Sequence, residues 1–521
     1  MRHAHVARLL AVAVAVAVAS ALGRSASAQI VFEPPTTLSL SHLTQGVLTA
    51  DVNADGHLDL ISQPRFEIVF NPPHVSVLLG AGDGSFGAPI VTTLGTTNSG
   101  RGRTAFIDGD GFPDLALAYT TTSNNGITLL FGNGDGTFTV GPSQVFPLGL
   151  GSGGLLEVLP ADLTGDGLLD FVLVETGFQG FPGRIDTWVA NGVGGYTVHI
   201  GALLQGGTSS AGIGDVNGDG RPDVIASNST AGSLSVLAGL GDGTFAAPVS
   251  FSVGGSPGQL LLRDLDGDDL LDIVLVDPSL GRVLVLTGLG GGHFTALQSV
   301  PVPGQPSWLS AGLLDGDGAL DLLVSAGGNG ELSLLRGVGD GTFTVVATVS
   351  HVPLTVGSAL GDFDEDGVLD AAVGTQSPPA LRATDAIAVL RNHTYAAGSP
   401  FTDLGQAFPG ANGYAIQLAD GTLAAGTPVS FKLLNALPGG HSTVFLGFSQ
   451  ANLPFKGGTL VPFPDLVYTP FPISGAGATT LSATWPGSVP SGFAFYLQFG
   501  FKDVGALNGY AVSNAVRVVT P

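Results

Sequence analysis

The sequence contains no cysteine. Disulfides, thiolate–metal centres, cysteine nucleophiles and lipid attachment through an N-terminal cysteine are therefore excluded. Lysine is nearly missing as well, with three residues, all beyond position 401. Acidic side chains outnumber basic ones by 41 to 17, which disfavours nucleic acid as a partner. Beyond residue 28 no apolar run is long enough to span a bilayer. No HExxH or GxSxG stretch occurs and the histidines are scattered, so the common metalloprotease and serine-hydrolase arrangements lack their signatures.

What is present begins with a secretory signal. Arg2 and Arg8 supply a positive start, Leu9 to Leu22 an apolar stretch, and Ala26-Ser27-Ala28 a small-residue cleavage site. The expectation is an exported protein, secreted, periplasmic or at the cell surface, cut after residue 28. Glycine (81) and proline (33) are abundant, but 44% of residues are apolar, which marks turn-rich globular protein. Charge is unevenly placed. Residues 29–401 hold 37 acids against 10 arginines, a net −27, whereas 402–521 balance four acids with four bases. That shift sets a boundary at a 398–401 linker.

The acidity is concentrated in a nine-residue stretch that occurs seven times. DVNGDGRPD (215–223) places oxygen-bearing side chains Asp215, Asn217, Asp219 and Asp223 at positions 1, 3, 5 and 9. Gly220 at position 6 permits a sharp turn, and the position-7 carbonyl (Arg221 here, His57 in the first copy) adds an oxygen. Hard oxygen donors in a flexible loop select Ca²⁺ over Mg²⁺. The start matches an EF-hand loop, but a β-like run follows instead of Glu and a helix. The other copies are DVNADGHLD (51–59), FIDGDGFPD (106–114), DLTGDGLLD (162–170), DLDGDDLLD (264–272), LLDGDGALD (313–321) and DFDEDGVLD (362–370). A period near 50 residues indicates a propeller or solenoid.

Each unit reads as four short strands, with the acidic loop between the first two. The third and fourth are joined by a glycine-rich turn: GAGDGSF (80–86), GNGDGTF (132–138), GLGDGTF (239–245), GVGDGTF (337–343). Asp-Gly suits a tight hairpin, and the closing aromatic is expected to pack between units. The seventh unit lacks a fourth strand, and VFEPPTTLSL (31–40) resembles the missing one. Pairing it beside residues 386–391 would close the ring and remove an exposed edge. The expected fold is all-β: a seven-bladed β-propeller over 29–397, then a small β-sandwich-like domain over 402–521.

Loop, period and GDGTF turn together resemble the FG-GAP/VCBS repeat family, the integrin-α-like propellers, over about residues 31–395. The resemblance implies calcium at the loop between strands one and two. It carries ligand roles to Asp51, Asn53, Asp55 and Asp59; to Asp162, Thr164, Asp166 and Asp170; to the 215–223 set; and to Asp362, Asp364, Asp366 and Asp370. Unit 5 keeps Asp264, Asp266, Asp268 and Asp272, but Asp269 replaces the turn glycine. Units 2 and 6 carry Phe106 and Leu313 at position 1 and keep Asp108, Asp110 and Asp114, and Asp315, Asp317 and Asp321; weaker sites are expected there. The result is up to seven Ca²⁺ sites, five with a full ligand set.

Outside the loops and turns the propeller keeps few carboxylates, among them Glu67, Glu157, Glu175, Asp186, Asp277 and Asp385, and no recognisable catalytic pair emerges. The expected function is therefore non-catalytic: adhesion or recognition of an extracellular or surface ligand, protein or glycan. The alternatives are a lectin, with Trp188 or Trp308 as sugar platform, and a polysaccharide-degrading enzyme. Topology puts acidic loops and GDG turns on one face, leaving Arg65, Arg101, Arg103, Arg184, Arg282 and Arg382 to the other. Arg65 and Arg382 are the expected ligand contacts, on long loops of neighbouring blades.

Overall fold

The computed structural model describes residues 30, 32 and 35–392, apart from 66–72, 96–97, 121–123, 142–143, 148–151, 178–181, 194, 328–329, 350–353, 366 and 377–384. Beyond these it describes 401–403, 416–421, 428–434, 436, 440–448, 450–455, 458–462, 466–474, 479–485, 494–503, 510–513 and 516–519. The expected signal segment, Asp366 and Arg382 lie outside the described residues.

Among the described residues every regular element is a strand. No helix is long and apolar enough to cross a membrane. Blade 4 shows the pattern. Thr208–Gly214, Asp223–Asn228, Ser233–Leu237 and Val249–Ser252 pair antiparallel in chain order. The two middle strands are buried along their whole length, and the fourth is partly exposed. Middle strands are covered on both faces by neighbouring blades, so they read as short runs of apolar and small residues.

Five more units keep this chain order, one of them with two short strands, Phe138–Val140 and Gln144–Pro147, beside its third, and a further unit takes its fourth strand from Thr36–Ser39; blades 2 and 3 are also bridged between Arg101 and Glu157. The apolar clusters show how the units sit. Val274, Val276 and Val285 of one blade share a cluster with Leu309, Leu322 and Val324 of the next. The same sharing recurs at each successive junction. Leu40, Val47 and Leu60 join Ile387 and Val389, so the last blade meets the first and the ring closes. The closing strand is the expected one: Thr36–Ser39 pairs antiparallel with Ala386–Leu390, Thr36 opposite Val389 and Ser39 opposite Ala386. The turn aromatics lie at the junctions as well. Phe138 and Phe343 are buried in two of them, and Phe86 meets Phe363 with ring centroids 5.5 Å apart.

The second body starts with Phe401–Asp403, which pairs with Val516–Val519. Its larger sheet holds Ala494–Lys502 and His441–Gly447, and a three-stranded sheet contains Pro428–Leu434. Phe431 and Leu433 of the latter pack with Val444, Leu497 and Phe499 of the former, so two sheets share one core.

Candidate metal centres

The seven acidic loops have a common construction. Position 9 is the first residue of the second strand and is buried in every copy. One of its oxygens accepts the position-2 amide, as in Val216 N to Asp223 Oδ2 at 3.0 Å. The other accepts an amide at the end of the third strand, as in Gly239 N to Asp223 Oδ1 at 2.8 Å. Asp59, Asp114, Asp170, Asp272, Asp321 and Asp370 repeat both bonds. This carboxylate ties loop, second strand and third strand together.

The remaining positions shape the turn. Asp219 Oδ1 accepts Arg221 N at 2.9 Å, and Asn217 Oδ1 accepts Asp219 N at 2.8 Å. Asp215 accepts Gly218 N and Gly220 N, each at 2.7 Å. Two residues per loop take positive φ, at positions 4 and 6. Position 6 was expected, including Asp269 at φ 69° in place of glycine. Position 4 was not. It holds Gly218 at 83°, but Ala54 and Glu365, both at 57°, in units 1 and 7. The available signal was glycine at position 4 in units 2 to 6. Such backbone costs a non-glycine residue about 1 kcal/mol.

Carboxylates converge in three loops. In Asp108/Asp110/Asp114, in Asp264/Asp266/Asp268 and in Asp362/Asp364/Asp370, one oxygen from each residue lies within 4.8 Å of the others. Asp364 Oδ1 is buried with no hydrogen-bond partner among the described residues. Burial pushes the position-9 carboxyls up, to about 6 for Asp114, Asp170, Asp223 and Asp272, about 7 for Asp59 and about 8 for Asp321; amide bonds counter this and neighbouring carboxylates add to it. Crowded, dehydrated carboxylates with an orphan oxygen fit a hard divalent cation. Unit 2 gathers its three carboxylates although Phe106 occupies position 1. Unit 6 differs. Arg336 Nε stands 4.0 Å from Asp315 Oδ2, so a resident cation already faces that loop.

The loops also touch across blades. The glycine-rich turn between the third and fourth strands of one blade donates an amide to the position-2 carbonyl of the preceding loop: Gly84 to Phe363 at 2.8 Å, Gly292 (in GLGGGHF, 288–294) to Val216 at 2.9 Å and Gly341 to Leu265 at 3.2 Å. Turns and loops thus share one face. The turn aspartates accept from the residue two further on, as Asp242 does from Thr244 N at 3.0 Å, and hold hairpins. At the closure, His57 of loop 1 bonds Glu365 of loop 7, which raises the His57 pKa.

The arginines expected on the opposite face are mostly paired within the fold. Arg101 and Arg103 lie within the inner strand Asn98–Ala105, where Arg103 pairs with Glu157. Arg184 holds Glu175 at 3.0 Å and Asp186 at 2.7 Å. Arg282 holds Asp277 at 3.1 Å. The reason is compensation, since each of these four carboxylates is buried. Arg65 is exposed. Trp188 is buried among its neighbours, and Trp308 is covered by the Arg101 guanidinium, 4.6 Å from the ring centre. Sequence reading also missed a histidine pair. His42 and His74 meet edge to face at 5.5 Å, and His42 reaches the Ser62 and Ser76 hydroxyls at 3.1 and 3.3 Å.

The FG-GAP-like repeat matches residues 107–173, 215–275, 264–324 and 314–373. The chain carries FG-GAP-like repeats. Similar solved structures include BBS1N in complex with ARL6DN, soaked with lead (14% identity, TM-score 0.46, covering 71% of this chain and 98% of that one). A protein from Lactobacillus plantarum follows at 15% identity and TM-score 0.43, covering 64% and 95%. The Dos1 propeller follows at 9% and 0.43, covering 69% and 95%. The search of curated proteins found no match. The FG-GAP units place their acidic loops between first and second strands, as the sequence implied.

Proposed function

We propose that this FG-GAP propeller is an exported, calcium-stabilised recognition protein of the adhesion type, without catalytic chemistry. The observation that carries the calcium reading is the convergence of three carboxylates in each of loops 2, 5 and 7, with an orphan buried oxygen in loop 7. In this reading the side chains at positions 1, 3, 5 and 9 hold the ion, joined by the position-7 carbonyl, and the ion supplies charge neutralisation. Loop 6 is the weakest candidate because Leu313 replaces a ligand and Arg336 supplies charge. Bonds from GDG turns to preceding loops mean that an ion in one loop also firms its junction with the next blade.

Recognition without catalysis is supported by where the carboxylates are. Glu175 and Asp186 share one arginine, and Asp277 is tied to Arg282, so neither makes the separated acid and base that glycoside hydrolysis needs. The lectin alternative loses its two candidate platforms to burial and to Arg101. Calorimetric titration of the mature chain with Ca²⁺ tests the reading, followed by a glycan and extracellular-protein array on the loaded protein. Several sites with dissociation constants of about 10⁻⁴–10⁻³ M are expected. Absence of binding heat, with an unchanged melt in chelator, would overturn it.

A further inference from the structure

In blade 7 no turn joins the third and fourth strands, because the fourth is Thr36–Ser39 from the far end of the propeller sequence. Asn392, fully buried, stands where the turn would begin. In five other blades the matching residue is Gly80, Gly132, Gly239, Gly288 or Gly337, because a Cβ there would collide with the position-8 carbonyl of that blade's loop. Blade 7 has no such turn to place, and Asn392 Nδ2 donates to the equivalent carbonyl, of Leu369, at 3.1 Å. The same Nδ2 donates to the Leu314 carbonyl of loop 6 at 2.8 Å. That is position 2, the carbonyl that a turn amide fills at three other junctions. The Asn392 backbone amide meets Asp370 Oδ1 at 2.7 Å, and the residue bridges to Phe32, just ahead of the closing strand. One asparagine thus does the bonding of the absent turn.

Loop 7 lies between this residue and blade 1. Asp362, Asp364 and Asp370 bring one oxygen each within 4.8 Å of the others, and Asp364 Oδ1 is buried with no hydrogen-bond partner among the described residues. Phe363, between the first two, accepts the Gly84 amide of blade 1 at 2.8 Å, and its ring meets Phe86. Glu365 holds His57 of loop 1. The groups that tie blade 7 to blade 1, to loop 6 and to the closing strand are therefore residues of one loop and its clamp. Carboxylates this close repel one another unless a cation neutralises them. As loop 7 spreads, the residues that shift are Phe363 and Asp370, which hold blade 1 and Asn392. The closing strand has four register pairs and no turn to keep it beside its blade, so it opens first.

We propose that loop 7 is a calcium-operated latch on the ring. With its carboxylates neutralised, Phe363 and Asn392 hold blade 1 and the closing strand; with calcium withdrawn, Thr36–Ser39 releases before any other outer strand. Loop 7 thereby has, within the calcium reading on which this rests, a task of its own. The other loops belong to blades whose fourth strand follows its third in the chain, whereas loop 7 decides whether the ring is shut. The ring is then closed at about 1 mM Ca²⁺ and open well below the range of about 10⁻⁴–10⁻³ M in which extracellular modules bind.

The test is hydrogen exchange of the full mature chain, read by mass spectrometry at Ca²⁺ levels stepped from about 1 mM down to excess chelator. The amides of residues 36–40 are compared with the outer strands Phe294–Pro301 and Phe343–Val349 of blades 5 and 6. Exchange at 36–40 is expected to rise about tenfold or more at calcium levels where the other two strands are still slow. Asp364→Ala is expected to make exchange at 36–40 independent of calcium. Asp266→Ala, at the same position of loop 5, is expected to leave that calcium response intact. Should Asp364→Ala fail to fold, the order of release in the unaltered chain decides. Release of all three strands at one calcium level, or a calcium response at 36–40 that survives Asp364→Ala, would overturn the latch while the calcium reading stands. Exchange that ignores calcium in every strand would overturn both.

Discussion

The loops of blades 4 and 6 have the same length and the same two positive-φ positions, yet they begin differently. Blade 4 starts with Asp215, which gathers the amides of Gly218 and Gly220. Blade 6 starts with Leu313, packed against the apolar junction with blade 5, and an arginine faces its position-3 carboxylate, Asp315. Both keep the position-9 clamp and the bond from position 7 to position 5. The backbone path is therefore set by positions 4, 5, 6 and 9, and position 1 is free to decide how well a cation is held. In the proposed calcium reading, a blade can therefore keep the loop without holding an ion.

The largest effect should come from removing all ions at once. At about 1 mM Ca²⁺ each occupied site contributes on the order of 0.4–1.4 kcal/mol, so excess chelator should lower the melting temperature by many degrees. An unchanged melt would reduce blade 4 to the condition of blade 6 and erase the contrast. Next comes the clamp. Asp223→Ala strands three amides, those of Val216, Asn217 and Gly239, and should cost about 2–4 kcal/mol in denaturant unfolding even in chelator. Asp321→Ala should cost as much if the clamp is independent of metal; a far smaller loss there would show that the blade 6 loop is held in some other way.

Acid should act on the blade 1 histidine. Burial first, then His74, holds His42 down at about 4, against an ordinary 6.5. The unfolded chain then binds the extra proton between these values, so stability falls as pH drops from about 6.5 to 4, by at most about 3 kcal/mol. His42→Gln should flatten this part of the pH–stability curve at fixed Ca²⁺; an unaltered slope would assign it elsewhere. The smallest effect is the most specific. Asp215→Leu should remove one bound Ca²⁺ and Leu313→Asp should add one, counted by metal analysis, with stability changes near 1 kcal/mol. No gain at blade 6 would show that Arg336, rather than the missing ligand, excludes the ion.

The all-β fold, the loop positions and the closing strand were legible because they are local or periodic. The repeat spacing gave the blades, and 31–40 stood out as a fourth strand with no blade of its own. The position-4 backbone was readable from its glycines but hidden by Ala54 and Glu365. Arg101 and Arg103, expected on the face without the acidic loops, lie inside an inner strand, because sequence does not show where a glycine-rich strand begins. The bonds from Gly84, Gly292 and Gly341 to the preceding loops, and the meeting of His42 with His74, depend on how blades and connections pack. No spacing along the chain reports such contacts.

The pairing of Thr36 with Val389 sets the order in which the molecule can be completed. Some 350 residues separate the partners, so closure carries one of the longest loop entropies in the chain. During synthesis the first strand to emerge is among the last to find its place. Until residue 389 appears, blade 1 has no neighbour on one side, and its apolar face at Val47 and Leu60 stays wet. Partial chains are therefore open arcs with two sticky ends. A premature stop anywhere before the seventh repeat should yield aggregation-prone fragments instead of a smaller working propeller.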